Sequence, residues 1–141
     1  MKLAKSVLTV TLGLGLVGLA QPVQAAKRSH TVPTTFRHTW YAYDHGTYDR
    51  LTLTKHSLKG IMRYEGGARQ IWASAKGNQL GVWSHGKNKL NIYKTTRGYH
   101  LASQPINLTH GSKAGHARLY VHSDGYQANY YRTKSVAYRY R

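Results

Sequence analysis

The reactive and binding groups of this chain are mostly cationic and phenolic. Four stretches interleave Arg or Lys with Tyr: Arg97-Gly98-Tyr99-His100, Arg118-Leu119-Tyr120, Tyr130-Tyr131-Arg132-Thr133-Lys134 and Tyr138-Arg139-Tyr140-Arg141. A guanidinium presents a planar fork of donors that fits phosphate or carboxylate, and a phenol ring presents a face on which a sugar or base stacks. This pattern supports recognition of a polyanion. The candidate binding residues are Arg97, Arg118, Tyr120, Tyr131, Arg132, Lys134, Arg139 and Arg141. The bland alternative is a solvated basic surface that keeps the chain soluble.

Other chemistries find less material. Paired-carboxylate catalysis needs two acids at a set separation with different pKa values, and the chain has only Asp44, Asp49, Glu65 and Asp124. Asp44 and Asp49 flank one turn signal and Asp124 starts another, so they read as turn residues bonding their own backbone. No Cys is present, which removes disulfides, thiolate nucleophiles and thiolate metal sites. A G-x-S-x-G elbow, a P-loop, a dinucleotide fingerprint and a calcium loop are all missing. There are nine His. His116 and His122 would share a strand face, yet six residues of strand separate them by about 20 Å, too far for one ion. No catalytic residue, metal or cofactor is therefore assigned.

The segments that carry these groups read as strands. In Thr34–Gly46, Phe36, His38, Trp40 and Ala42 fall on one side of a two-residue alternation, and Arg37, Thr39, Tyr41 and Tyr43 on the other. Arg50–Thr54 alternates and should pair with it across the Asp44-His45-Gly46 turn. Further segments are expected at 58–64, 68–75, 80–85, 89–95 and 99–103. The Gly- and Asn-bearing gaps between them, 76–79 among these, predict antiparallel neighbours in a meander. Thr109–Gly115 is polar and expected to be a flexible loop. Ala117, Leu119 and Val121 alternate before Asp124-Gly125, so Tyr126–Lys134 should fold back on them, and Val136–Arg141 is expected to add a last short strand. The predicted core is Phe36, Trp40, Leu51, Leu53, Leu119 and Val121. The fold class is all-β, a small antiparallel barrel or sandwich of meander type.

The N-terminus sets the expected address. Lys2 and Lys5 precede an uncharged run from Ser6 to Ala20, and Val23-Gln24-Ala25 offers small residues at the right positions, so 1–25 reads as a secretory signal peptide. Its apolar run is too short to span a bilayer. Residues 26–33 are expected to be a disordered lead, and 34–141 a single β-domain. The whole chain carries 21 basic side chains against four acids, a formal charge of +17, and removal of Lys2 and Lys5 lowers it to +15.

Three blocks carry a resemblance: Pro33-Thr34-Thr35-Phe36-Arg37-His38-Thr39-Trp40-Tyr41-Ala42-Tyr43-Asp44, Leu51-Thr52-Leu53-Thr54-Lys55-His56-Ser57-Leu58-Lys59-Gly60 and Ala128-Asn129-Tyr130-Tyr131-Arg132-Thr133-Lys134. Together they resemble a family of small, mostly uncharacterised extracellular proteins of lactobacilli. The first block is also similar to the first strand of lipocalin-like barrels, where a Gly commonly stands two residues before the Trp; here that position is His38. The resemblance implies a secreted β-domain and transfers no catalytic residue.

The expectation is a secreted, strongly basic, non-enzymatic β-domain, extracellular or loosely attached to the cell surface. Its partner would be an anionic cell-wall polymer, with nucleic acid bound only non-specifically. A lipocalin-like carrier of a small apolar ligand is the alternative, and a hydrolase of wall polymers the third reading. Nine histidines of ordinary pKa would carry the charge from +15 toward an upper limit of +24 on acidification, so binding should strengthen from pH 7.5 to pH 5.

Overall fold

Trp40 is fully buried on the inner side of a curled antiparallel sheet. The computed structural model describes residues 27–95 and 105–141. The expected signal peptide, the expected strand at 99–103 and Arg97 lie outside the described residues. The strands are β1 (Lys27–Ser29), β2 (His38–Asp44), β3 (Thr47–Thr54), β4 (Ser57–Arg63), β5 (Arg69–Lys76), β6 (Leu80–Ser84), β7 (Lys89–Lys94), β8 (Ile106–Lys113), β9 (His116–Ser123) and β10 (Tyr126–Tyr131). Among the described residues one α-helix, α1, spans Lys134–Arg139. The ten strands form one sheet in the order β1-β6-β7-β8-β9-β10-β2-β3-β4-β5, curled into a half-barrel.

Alternation decides which side chains enter the curl. Trp40 and Ala42 of β2, Leu51 and Leu53 of β3, Leu119 and Val121 of β9 and Tyr130 of β10 are all buried in one core with Phe36. The Trp40 indole donates Nε1–H to the carbonyl of Phe36 at 2.9 Å, so the largest core side chain leaves no polar atom unmatched. Hairpin β9–β10 pairs from Tyr126↔Ser123 to Tyr131↔Arg118. Its two-residue turn places Asp124 at φ 40° and Gly125 at φ 79°, the left-handed pair that suits the twist of flanking strands.

Four expectations are corrected. Residues 26–33 are not a disordered lead throughout: β1 pairs with β6, and Val32 is fully buried and donates its N–H to Lys55 O at 2.9 Å. Thr109–Gly115 is not a loop but the larger part of β8 and its turn into β9. Ile106 and Leu108 enter the core, and Ala114-Gly115 makes the same left-handed two-residue turn, at φ 48° and 78°. Val136–Arg141 does not form a strand. Thr133 caps a helix there, its Oγ1 accepting from Val136 N at 3.3 Å, and Ala137 packs inward. Finally, β5 and β6 are not hairpin partners; each lies at or beside an opposite flank of the sheet. The connection is a 3-10 turn, Gly77–Gln79, held by Gly77 N to His56 O and by Thr95 N to Gln79 O, and it makes a corner between flanks.

One irregularity sets the register of β4 on β5. Gly60 pairs with Ala73 while Ile61 pairs with Ile71, so Trp72 is an extra residue on β5. A Cβ on Gly60 would meet the Trp72 ring at 2.4 Å, so the indole can lie across the strand only because Gly60 has no side chain. Beyond the bulge, Ile61 and Arg63 share the outward face.

Trp40→Ala empties the largest buried site, and the usual loss of about 3–5 kcal/mol for such a deletion is most of a small domain's stability. The expected product is unfolded or molten by thermal melt and near-UV dichroism. A melt within a few degrees of wild type would contradict this packing.

Candidate functional site

The outward face of β2–β5 collects cations. Cross-strand register sets Tyr41 opposite Arg50, and Arg50 opposite Ile61. One row along, Tyr43 faces Tyr48, and Arg63 faces Arg69 directly. Arg63 and Arg69 form a like-charge pair, an arrangement that costs stability unless something negative lies over it. An open cleft of about 350 Å³ forms here, lined by Tyr41, Thr47, Tyr48, Arg50, Ile61, Arg63, Tyr64, Gly67, Arg69 and Lys134.

The helix completes it. Lys134, the first residue of α1, places Nζ 5.4 Å from the Tyr48 ring centroid and 5.8 Å from that of Tyr41. Ring faces hold this cation without neutralising it. The aromatic surface continues outward, where Tyr43 meets Tyr48 and Tyr138 edge-on at 5.0 Å each and Arg141 lies 4.1 Å over Tyr138. Thr47 Oγ1 donates to Arg63 O at 2.7 Å, tying the β2–β3 turn to the end of β4. Among the described residues, Arg50, Arg63, Arg69 and Lys134 have no carboxylate partner.

The carboxylates gather elsewhere. Asp44, Asp49 and Glu65 line a second cleft of about 460 Å³ at the end of the sheet, with His45, Met62, Arg63 and Tyr64. Arg63 and Tyr64 stand between the two clefts. Asp124 lies in the β9–β10 turn at this same end, as the antiparallel pairing of β10 with β2 requires. Asp44 Oδ2 meets His45 Nδ1 at 2.8 Å.

Asp49 is not the turn residue expected from its sequence neighbourhood. It is 3% exposed, accepts from Arg63 N at 3.2 Å and from the Tyr126 hydroxyl at 3.4 Å, and so joins β3 to β4 and β10. Tyr126 and Tyr130 continue the network with their hydroxyls 2.9 Å apart. Burial pushes the Asp49 carboxyl above its ordinary value, its hydrogen bonds pulling the other way, and burial also raises both phenols. A buried acid beside Asp44 is the nearest approach to acid–base chemistry among the described residues.

The sequence-predicted binding residues do not form one patch. Lys134 enters the cationic cleft and Arg141 extends its aromatic margin. Arg118 and Tyr131 are cross-strand partners on the outward side; Tyr131 is 1% exposed under the Tyr140 ring, and Arg118 is half-buried with its Nε enclosed. Tyr120 spends its hydroxyl on Gln127 at 2.7 Å. Arg132 turns to the other end of the sheet, 5.5 Å over Trp40, and Arg139 is exposed on α1. Tyr41, Tyr48, Arg50, Arg63, Tyr64 and Arg69 line the cleft without having been expected there from the sequence. The same alternation that located the core carried the signal for the first three, read on its outward side.

No family model, curated protein or solved structure matches this chain.

A carboxyl whose folded-state pKa is raised contributes stability below its unfolded value, near 3.8, and loses it as pH rises through the folded value. Asp49→Asn keeps an acceptor for Arg63 N and removes the charge. Its melting temperature relative to wild type is expected to be more favourable at pH 7 than at pH 3.5. A constant difference across that range would contradict the burial argument.

Proposed function

We propose that this chain is a secreted, basic, non-enzymatic β-domain that binds an anionic cell-envelope polymer in the cleft between β2–β5 and α1. The observation that carries this reading is the directly opposed Arg63–Arg69 pair, with Arg50 and Lys134 beside it and none of the chain's four carboxylates in the lining. Like charges held face to face on a rigid sheet are paid for by a ligand that neutralises them. Tyr41, Tyr48 and Tyr64 add faces and hydroxyls suited to sugar or polyol units between the charges. The interior supports binding on the outside over carriage within, since Trp40, Tyr130, Leu51, Leu90, Ile92 and Ile106 fill it at near-zero exposure.

A second reading has one observation in its favour. Asp44, Asp49 and Glu65 line the cleft beyond Arg63 and Tyr64, where a bound polymer could meet a buried acid and a neighbouring carboxylate, the pairing that hydrolyses glycosidic bonds.

One experiment tests both. Arg63→Gln/Arg69→Gln should bind isolated Gram-positive cell walls more weakly, with a log–log salt slope shallower by about two, because each lost phosphate contact removes roughly one released counterion. Wild type should elute at roughly 0.3–0.5 M salt, where screening lengths shrink to several Å. The variant should melt at or above the wild-type temperature, since the like-charge cost is gone. Arg139→Gln serves as the control and should change the slope by less. Equal slopes for the double variant and wild type would remove the cleft as the binding site. Release of reducing ends by wild type but not by Asp49→Asn would replace binding with hydrolysis.

A further inference from the structure

A second charged constellation lies at the opposite end of the sheet from the carboxylates. His38 opens β2, His110 lies on the inward side of β8, and Arg132 follows β10. All three surround Trp40: the His38 ring lies 5.7 Å from the indole centroid, the His110 ring 5.8 Å, and the Arg132 guanidinium 5.5 Å. His110 also meets Phe36 edge-on at 6.0 Å, and its Nε2 is buried without a partner. Leu119, its cross-strand neighbour, is apolar. His38 and Arg132 are exposed, so solvent reaches these two, and His110 Nε2 lies shielded behind them.

Nothing negative compensates these three. Among the described residues Arg132 has no carboxylate partner, and the charge acting on both imidazoles is that of Arg132. Burial first, and Arg132 second, lowers the pKa of His38 and of His110. Charging of the two imidazoles is therefore disfavoured near neutral pH, and an anion brought from outside would favour the charged forms.

We infer that His38, His110 and Arg132 form a second anion site, independent of the cationic cleft, that takes a single tetrahedral oxyanion such as a phosphate or sulfate ester. A guanidinium and two imidazolium rings are all donors when protonated, and Trp40 and Phe36 supply the dry floor that strengthens such bonds. Binding and protonation are linked: an anion bound here raises both imidazole pKa values, and acidification tightens the anion. The site then loads below neutral pH and empties above it, whereas the arginine-rich cleft keeps its charge throughout.

The test follows imidazole resonances by NMR while sodium sulfate is added, with sodium chloride at matched ionic strength as reference. Sulfate keeps its charge across this range, so any pH effect belongs to the protein. Expected are saturable shifts of His38 and His110, exposed His85 and His122 responding no more than they do to chloride. Affinity at pH 5.5 should be roughly tenfold tighter than at pH 7.5, with a raised apparent pKa for both rings. Arg132→Gln should abolish saturation while leaving the melting temperature close to wild type, because Arg132 is exposed. Parallel sodium phosphate and phosphoserine titrations separate a free ion from an ester, and either saturating supports the site. Shifts that track chloride equally, or an Arg132→Gln response equal to wild type, would overturn it. Cell-wall binding through the cleft is unaffected by this variant, so the two readings fail separately.

Discussion

The structure depends on a shortage of counter-charge. With 21 basic side chains and four acids, most cations cannot be neutralised within the chain, and the fold must keep them apart or lay them on aromatic rings. The antiparallel sheet does the first by sending alternate residues to opposite faces. The tyrosines do the second: Lys134 rests over Tyr41 and Tyr48, Arg141 over Tyr138 and Tyr43, and Lys113 over Tyr140. Ring faces attract a cation without cancelling its charge, so each remains available to an anion. Where neither device acts, as between Arg63 and Arg69, repulsion is left standing at the cleft.

The few carboxylates gain significance from their placement. None lines the cationic cleft, and the four lie near one end of the sheet, with Asp49 drawn inward to join three strands. His38, His110 and Arg132 occupy the other end around Trp40. The molecule is thus polarised along its strands, acid at one mouth and base at the other, with the outward cleft lying across β2–β5. The lowered pKa values of His38 and His110 mean that acidification adds less charge than nine independent histidines would. Their effect on stability has a definite sign: imidazoles depressed below 6.5 stabilise the fold above that value, and the contribution is lost as pH falls through their folded pKa values.

Much of the fold was legible because alternation and two-residue turns are local signals. Trp40, Leu51 and Val121 could be placed in the core from period alone, and Asp124-Gly125 marked the β9–β10 hairpin. The errors arose where composition stood in for pattern. Residues 109–113 look like a loop by polarity, yet the strand they extend begins with Ile106 and Leu108 and ends in an Ala114-Gly115 turn. Val136, Tyr138 and Tyr140 alternate like a strand, and the Thr133 cap with buried Ala137 overrides that local preference. The 77–79 connection has the length of a hairpin and makes a corner instead, because curling of the whole sheet decides which strands meet. The cleft was the least legible part. Arg63 faces Arg69 only through the register of β4 on β5, which the bulge at Trp72 sets, and no single stretch of sequence contains that information.

Arginine footprinting shows whether an anionic polymer lies in the cleft. The protein is treated with an arginine-selective dicarbonyl, with and without saturating anionic wall polymer, and modification is read at each arginine by mass spectrometry. Arg50, Arg63 and Arg69 are expected to be protected together by the polymer while Arg139 is modified at the same rate in both samples. Protection spread evenly over all exposed arginines, or absent from Arg63 and Arg69, would contradict binding in the cleft and reduce the basic surface to a solubilising coat.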